Sequence, residues 1–122
     1  MHELRHVPSM TIKEFGRLSG LSHKALRLYD MSGLLSPAEV VPTSGYRFYS
    51  HDQLERARRI SMLRQLDMPL ATVAEVLDGT DTEAAHRLAQ WWTQQEATMR
   101  SKRAAYGYVR SRIALGEADL KI

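Results

Sequence analysis

The run of residues 80–106 contains neither glycine nor proline, and it constrains the fold of this 122-residue chain more than any other feature. It opens on Thr80 and Glu83, a capping box in which the two side chains satisfy free backbone donors at a helix start. We therefore predict one long helix over residues 80–115, followed by a tail at 116–122.

Apolar side chains repeat along this helix with the seven-residue spacing of a coiled coil. The first series is Trp92, Met99, Tyr106 and Ile113, and the companion position holds Leu88 and Val109, together with Gln95 and Lys102. No other predicted helix is long enough to cover this stripe, so we expect a second subunit to pair with it, antiparallel or parallel. Packing onto the same chain is the alternative, above all for the first turns. Gly107 costs the helix about 1 kcal/mol relative to alanine, so we expect fraying or a bend there.

Two short helices separated by a glycine-containing turn are predicted near the N-terminus, after an extension at residues 1–10. Thr11 and Glu14 form a capping box at the first, which ends at Gly20. Ser22 caps the second. The inward faces carry Ile12, Phe15 and Leu18 in the first helix and Ala25, Leu26 and Tyr29 in the second, while His23, Lys24 and Arg27 point elsewhere. This is the pattern of a helix-turn-helix, although helical hairpins in structural cores share it.

A β-hairpin follows, because β-forming residues flank the turn-forming residues 42–45. Alternation along its second strand puts Tyr46 and Phe48 on one face and Arg47 and Tyr49 on the other. We expect Arg47 to project outward from this hairpin, which would be a wing beside the second helix. A ribbon that only covers the core is the alternative.

Two more helices complete the predicted head. Ser50 and Gln53 form a capping box for the third helix, which ends near Asp67, and Pro69 opens a short fourth helix that ends at Gly79. The inward residues are Leu54, Ile60, Leu63 and Leu66, then Val73, Val76 and Leu77, and the more exposed arginines are Arg56, Arg59 and Arg64.

Charge is unevenly distributed around a net value of +3. The chain through Arg64 holds ten basic and six acidic residues, and such an excess attracts nucleic-acid phosphates, although it is also compatible with a merely solvated surface. The absence of cysteine excludes disulfides and thiolate chemistry. We see neither a membrane span nor a signal peptide, and no nucleophile, phosphate-loop or metal-ligand motif. The sequence thus predicts a cytoplasmic protein that is not an enzyme and needs no cofactor.

Four motifs in register resemble the DNA-binding head of the MerR family of bacterial regulators. They are Thr11-Ile12-Lys13-Glu14-Phe15, Leu26-Arg27-Leu28-Tyr29-Asp30, Gly33-Leu34-Leu35-Ser36-Pro37 and Gly45-Tyr46-Arg47-Phe48-Tyr49. The resemblance covers residues 11–78, and the long helix fits the family's dimerisation helix. It implies a fold dominated by α-helices: a winged helix-turn-helix with a small β-hairpin wing, then a long dimerisation helix that pairs as an antiparallel coiled coil.

The resemblance also implies a function. Family members bind palindromic, double-stranded promoter DNA as homodimers, and activators distort it so that RNA polymerase can engage. Arg27, Tyr29, Arg47 and Arg64 match family positions that touch DNA. Recognition helices present their first residues to the groove, so His23 and Lys24 are candidates for base-edge contacts, with plain solvent exposure as the alternative.

The chain departs from the family at Leu28, where a tyrosine is common. Leucine cannot donate a hydrogen bond, so one expected phosphate contact is missing, and an interaction protein that uses the long helix and binds DNA weakly is the alternative function. Without cysteines, metal and redox sensing are disfavoured. An aromatic ligand site at Trp91, Trp92, Tyr106 and Tyr108 is less favoured than packing. The sequence identifies no effector.

Overall fold

The computed structural model describes residues 9–120, with side chains as far as Gly116. The chain divides into two compact units, with the boundary between Glu75 and Val76. Helices dominate both units, and most of their ends lie where the sequence places a capping residue or a glycine.

The first two helices begin after the predicted caps, and the first ends at the predicted glycine. Helix α1 is Ile12–Ser19 and helix α2 is His23–Met31. The Glu14 N–H donates to Thr11 Oγ1 (3.2 Å) and the Thr11 N–H donates to Glu14 Oε1 (3.1 Å), so the capping box is confirmed. Gly20 closes α1 with a φ of 83°, in the left-handed region that glycine adopts without strain.

The turn between α1 and α2 depends on a close approach at Gly16. A Cβ on Gly16 would lie 2.9 Å from the carbonyl oxygen of Leu21, a separation at which one of the two must move. The Leu21 N–H also donates to Ser19 Oγ at 3.3 Å, which holds the turn against α1. The absence of a side chain at position 16 therefore lets the turn pack this tightly.

The first unit contains a three-stranded antiparallel sheet where the sequence predicts a two-stranded hairpin. Strands β1 (Ser9–Thr11), β2 (Glu39–Val40) and β3 (Arg47–Ser50) lie in the order β1-β3-β2. The unpredicted strand, β1, pairs Met10 with Tyr49. Ser9 and Met10 are therefore part of the sheet, and the rest of the predicted N-terminal extension lies outside the described residues.

Helices α3 (Leu54–Arg64) and α4 (Leu70–Val76) follow the sheet. A 3-10 turn at His51–Gln53 precedes α3, and the Ser50 N–H donates to Gln53 Oε1 at 2.9 Å, as the capping pattern predicts. Helix α3 ends three residues earlier than predicted.

The core of the first unit is formed by side chains from its four helices, from β3 and from the segment between α3 and α4. Its fully buried members with the largest side chains are Tyr49, Phe15, Leu26, Ile60, Met68 and Val73. Leu18 and Leu66, predicted to face inward, are each 40% exposed, so these two assignments are wrong. Both lie in the last turn of a helix or beyond it, where the helical periodicity no longer determines burial.

Helix α5 (Asp81–Leu120) forms most of the second unit. Its capping box is confirmed, because the Thr80 N–H donates to Glu83 Oε1 at 2.8 Å and the Glu83 N–H donates to Thr80 Oγ1 at 3.1 Å. The expectation of a bend at Gly107 is wrong, since the helix continues through it. The backbone departs from helical geometry at Gly116 instead (φ 79°), and helical structure resumes within the predicted tail.

We expect Glu83→Gln to flatten the acid side of the pH–stability curve. Hydrogen bonds from the Thr80 backbone and then its side chain lower the pKa of Glu83 below its ordinary 4.5, with a smaller contribution from Arg87. A depressed folded-state pKa means that this stabilisation is complete above pH 4.5 and is lost as the pH falls through the lowered value. Glutamine preserves the hydrogen bond but does not titrate. Thermal unfolding of both proteins between neutral pH and about pH 3 tests this, and a pH-independent difference would contradict it.

Candidate nucleic-acid interface

The exposed face of α2 carries the basic residues that the sequence singles out. Ser22 caps the helix, with its Oγ accepting from the Ala25 N–H at 3.0 Å. His23, Lys24 and Arg27 are all exposed, and the first turn contains no acidic residue. The positive end of the helix dipole and these side chains therefore both make the electrostatic potential at the start of α2 more positive. This favours an anionic partner such as a phosphate.

The opposite face of α2 holds the helix in the core. Leu26 is fully buried and Tyr29 is only 4% exposed. Little of the Tyr29 side chain reaches solvent, so its clearest role is to pack α2 against the core. The DNA contact that the resemblance assigns to Tyr29 stays a prediction.

Arg47 does not project freely from the wing, and the prediction that it does is wrong. Its Nη2 lies 3.6 Å from Asp30 Oδ2, and the two side chains are 33% and 24% exposed. Strand alternation places Arg47 on the same face as the buried Tyr49, which is the inward face. The guanidinium therefore lies beside the last turn of α2, where it balances the charge of Asp30.

Tyr49 anchors β3 in the core. Its ring stacks on Phe15 with centroids 4.3 Å apart and planes 14° apart, and its hydroxyl is buried without a hydrogen-bond partner among the described residues. Burial raises the pKa of Tyr49, the carboxylate of Asp30 raises it further, and Arg47 partly offsets both. The strand that carries Arg47 is thus fixed to α1 two residues farther on.

The arginines of α3 differ in what they bind. Arg56 Nε donates to the Leu34 carbonyl at 3.0 Å, and Arg64 Nη1 donates to the Met68 carbonyl at 2.7 Å. Arg64 is exposed nevertheless, so the predicted DNA contact is compatible with its structural role, and it stays a prediction.

Sequence reasoning did not single out three charged residues that the structure brings to notice. Asp30 is the partner of Arg47, and Arg17 and Arg58 are further exposed arginines on α1 and α3. The sequence carried no signal for the contact of Asp30 with Arg47, because aromatic residues lie on both faces of the strand, Tyr46 and Phe48 on one and Tyr49 on the other. For Arg17 and Arg58, the helical spacing from buried neighbours would have sufficed.

A second candidate surface is the apolar stripe of α5, hereafter the seam. The exposed fractions are 47% for Trp92, 54% for Met99, 65% for Tyr106, 51% for Val109 and 74% for Ile113, while Leu88 is partly buried. Among the described residues of the second unit, none covers these side chains. The C-terminal half of the seam, with Arg110, lines an open groove of about 400 Å³.

The aromatic residues of α5 do not form one site within a single chain. The rings of Trp91 and Trp92 are 6.3 Å apart, whereas Tyr106 lies about 20 Å farther along the helix at 1.5 Å per residue. Tyr108 stacks instead against Arg112, whose Cζ is 5.4 Å from the ring centroid. The aromatic ligand site would therefore need two subunits.

Metal and membrane sites find no support in the part of the chain that is described. The side chains described, those of residues 9–116, contain no group of three or more positioned to hold a metal ion. None of the helices described there is both long enough and apolar enough to cross a bilayer.

Comparisons with known proteins agree with this architecture. The model of the MerR HTH family of regulatory proteins matches residues 10–80. The transcriptional regulator BrlR of Pseudomonas aeruginosa is 33% identical over 96 residues, which cover 79% of this chain and 36% of BrlR. The HTH-type transcriptional regulator SkgA of Caulobacter vibrioides is 43% identical over 79 residues, or 63% of this chain and 31% of SkgA. The chain spans about a third of the length of these curated relatives.

A solved structure is similar over nearly the whole chain. The N-terminal part of the Bacillus subtilis multidrug transporter activator, MtaN, superposes with a TM-score of 0.67 at 28% identity. The similarity covers 88% of this chain and 99% of the MtaN chain. The expected fold class, a mainly helical winged helix-turn-helix followed by a long helix, is therefore confirmed.

Proposed function

Because the chain belongs to the MerR HTH family, we propose that it is a transcriptional regulator that binds double-stranded promoter DNA as a homodimer. One observation carries this proposal: His23, Lys24 and Arg27 are exposed together along the outer side of a capped helix. An α-helix fits the major groove, where lysine and arginine can donate to guanine edges or to phosphates. The named relatives are also transcriptional regulators, in agreement with a protein that is not an enzyme.

The sequence of the seam favours an antiparallel homodimer. Its eight positions, from Leu88 to Ile113, are symmetric about the midpoint between residues 100 and 101. In an antiparallel pair Leu88 lies opposite Ile113 of the partner subunit, and Lys102 lies beside Met99 of the partner subunit. A parallel pair would instead bring Lys102 against its own copy, and two like charges in a seam repel each other.

Paired cysteines test this register, and the absence of native cysteine makes the result easy to interpret. Leu88→Cys/Ile113→Cys should form disulfide-linked dimers under mild oxidation, because opposed seam residues meet the distance requirement of a disulfide. Either single variant should cross-link poorly, since the two copies of one cysteine lie about 38 Å apart along the antiparallel helices. Efficient cross-linking of the single variants would indicate a parallel pair, and a monomer in sedimentation would contradict the homodimer.

We further propose that the bound duplex is distorted so that RNA polymerase can engage the promoter. Deforming a site of this kind costs on the order of 1–10 kcal/mol, which contacts made only with the deformed duplex must offset. Fluorescence energy transfer between the ends of a bound fragment would measure the bend. An undistorted bound duplex would contradict this part of the proposal.

DNA binding itself is tested by selecting fragments from random DNA and measuring affinity against salt. We expect palindromic fragments whose half-sites are separated by whole helical turns of about 10–10.5 base pairs. If the protein makes six to ten phosphate contacts, raising the salt concentration from 50 to 200 mM should weaken binding roughly 10³- to 10⁵-fold. Salt-independent binding, or no preference over random duplex, would contradict the proposal.

The second candidate function is an interaction protein that binds DNA weakly. On α2, Leu28 is 48% exposed and Met31 is 80% exposed, which is a partly apolar surface for a helix that faces DNA. This alternative predicts a stoichiometric protein partner together with a failure to select any DNA sequence. The same selection experiment therefore separates the two candidates.

A further inference from the structure

We propose that Asp30 is a positioning residue for DNA recognition: its carboxylate holds Arg47 against the last turn of α2 and so joins the wing strand and the recognition helix into one contact surface. This inference rests on the proposed function, because it assigns a role within DNA binding. It concerns a residue of the opposite charge to the one expected at a phosphate-binding surface.

Two contacts fix β3 to the helices. Near its start, Arg47 Nη2 lies 3.6 Å from Asp30 Oδ2 at the end of α2. Two residues on, the ring of Tyr49 stacks on Phe15 of α1 with centroids 4.3 Å apart. The strand is therefore attached to both helices of the helix-turn-helix, and the Asp30 contact links it directly to the helix that carries the exposed basic side chains.

Asp30 would be unfavourable at this place without Arg47. It occupies the last turn of α2, where the negative end of the helix dipole disfavours an anion. Its charge would also repel DNA phosphates close to His23, Lys24 and Arg27. The ion pair offsets both effects, and the planar guanidinium, with five donors, can still present an unused edge to the duplex, in the register set by α2, while it is held by the carboxylate.

Tyr49 strengthens the geometric case. Its buried hydroxyl has no hydrogen-bond partner among the described residues, and its pKa is raised mainly by burial and further by Asp30, with Arg47 acting in the opposite direction. Arg47 and Asp30 are themselves only 33% and 24% exposed, so the pair occupies a partly enclosed region beside α2. A charge in such a region is screened less than one on an open surface, so removal of Asp30 should change the position of Arg47.

Asp30→Asn separates positioning from simple electrostatics because the two predict opposite results. If Asp30 only repels DNA, its neutralisation tightens binding to every sequence. If it positions Arg47, binding to the selected palindrome weakens while binding to random duplex does not, and the ratio of the two affinities falls. We expect a fall of roughly 3- to 10-fold, because each of the two heads loses a partly exposed pair.

Glu39→Gln is the matched control. Glu39 is an exposed acid on β2, and its register partner is Phe48, so it lies on the face opposite to Arg47. The substitution makes the same change in net charge without touching the pair, and the affinity ratio should stay as in the wild type. Asp30→Glu keeps the carboxylate and should retain most of the ratio.

The outcomes are distinguishable. A reduced ratio for Asp30→Asn alone, with a melting temperature near that of the wild type, supports positioning. An Asp30→Asn ratio equal to that of Glu39→Gln overturns the inference, whereas the proposed function survives. If the wild-type protein itself shows no preference for any palindrome, the proposed function fails and the inference fails with it.

Discussion

Arg27→Ala should weaken binding to the selected palindrome by about 1–3 kcal/mol, or roughly 5- to 150-fold. Arg27 is exposed in the middle of α2, one turn after His23 and on the face proposed to meet the major groove. An arginine fork that reaches a guanine edge discriminates between bases by this amount, and alanine leaves those acceptors unpaired. Filter binding or fluorescence anisotropy with specific and random duplexes gives both affinities.

The pattern of loss distinguishes the kinds of contact. A loss confined to the palindrome assigns Arg27 to a base edge, and a uniform loss with a salt slope smaller by about 1 assigns it to a phosphate. Arg100→Ala is the matched control, since it removes the same charge from an exposed position of α5 that lies outside the seam. An affinity unchanged by Arg27→Ala, or lowered equally by Arg100→Ala, would remove Arg27 from the interface.

Phe15→Ala should lower the free energy of unfolding by about 3–5 kcal/mol. Phe15 is fully buried and stacks on Tyr49, so truncation removes both the buried ring and an aromatic pair and leaves a cavity beside β3. A small domain has only about 5–15 kcal/mol in total, so this one substitution should remove a large fraction of its stability. Urea unfolding followed by circular dichroism measures the change.

Leu18→Ala is the control on the same helix. The Leu18 side chain is 40% exposed, so its truncation should cost about 1 kcal/mol or less. The comparison also checks the corrected assignment of Leu18. The spacing of Ile12, Phe15 and Leu18 had predicted that all three side chains face inward. Equal losses for the two variants would contradict the assigned core.

Local chemistry explains which elements were predictable from the sequence. The capping boxes at Thr11, Ser50 and Thr80 depend on residues three positions apart, so they can be predicted from the sequence without any tertiary information. Strand β1 was missed because Ser9–Thr11 is short and contains no strong β-former apart from its threonine. Its pairing with β3 is a long-range contact that no local pattern encodes.

The same distinction holds at the candidate site. Exposure of His23, Lys24 and Arg27 follows from the helical spacing around Leu26, and the sequence was sufficient to predict it. The orientation of Arg47 could not be predicted in this way, because strand alternation defines two faces without stating which of them is buried. Burial of Tyr49 decides that question, and the choice brings Arg47 to Asp30.

The close approach at Gly16 has a consequence for genetic variation in this chain. A single added methyl group would meet the carbonyl oxygen of Leu21, and the disturbance would pass through the turn to the helix that begins at His23. An inactive allele can thus arise at a residue that touches no nucleotide and carries no charge. Mutational surveys that look only at basic side chains would overlook it.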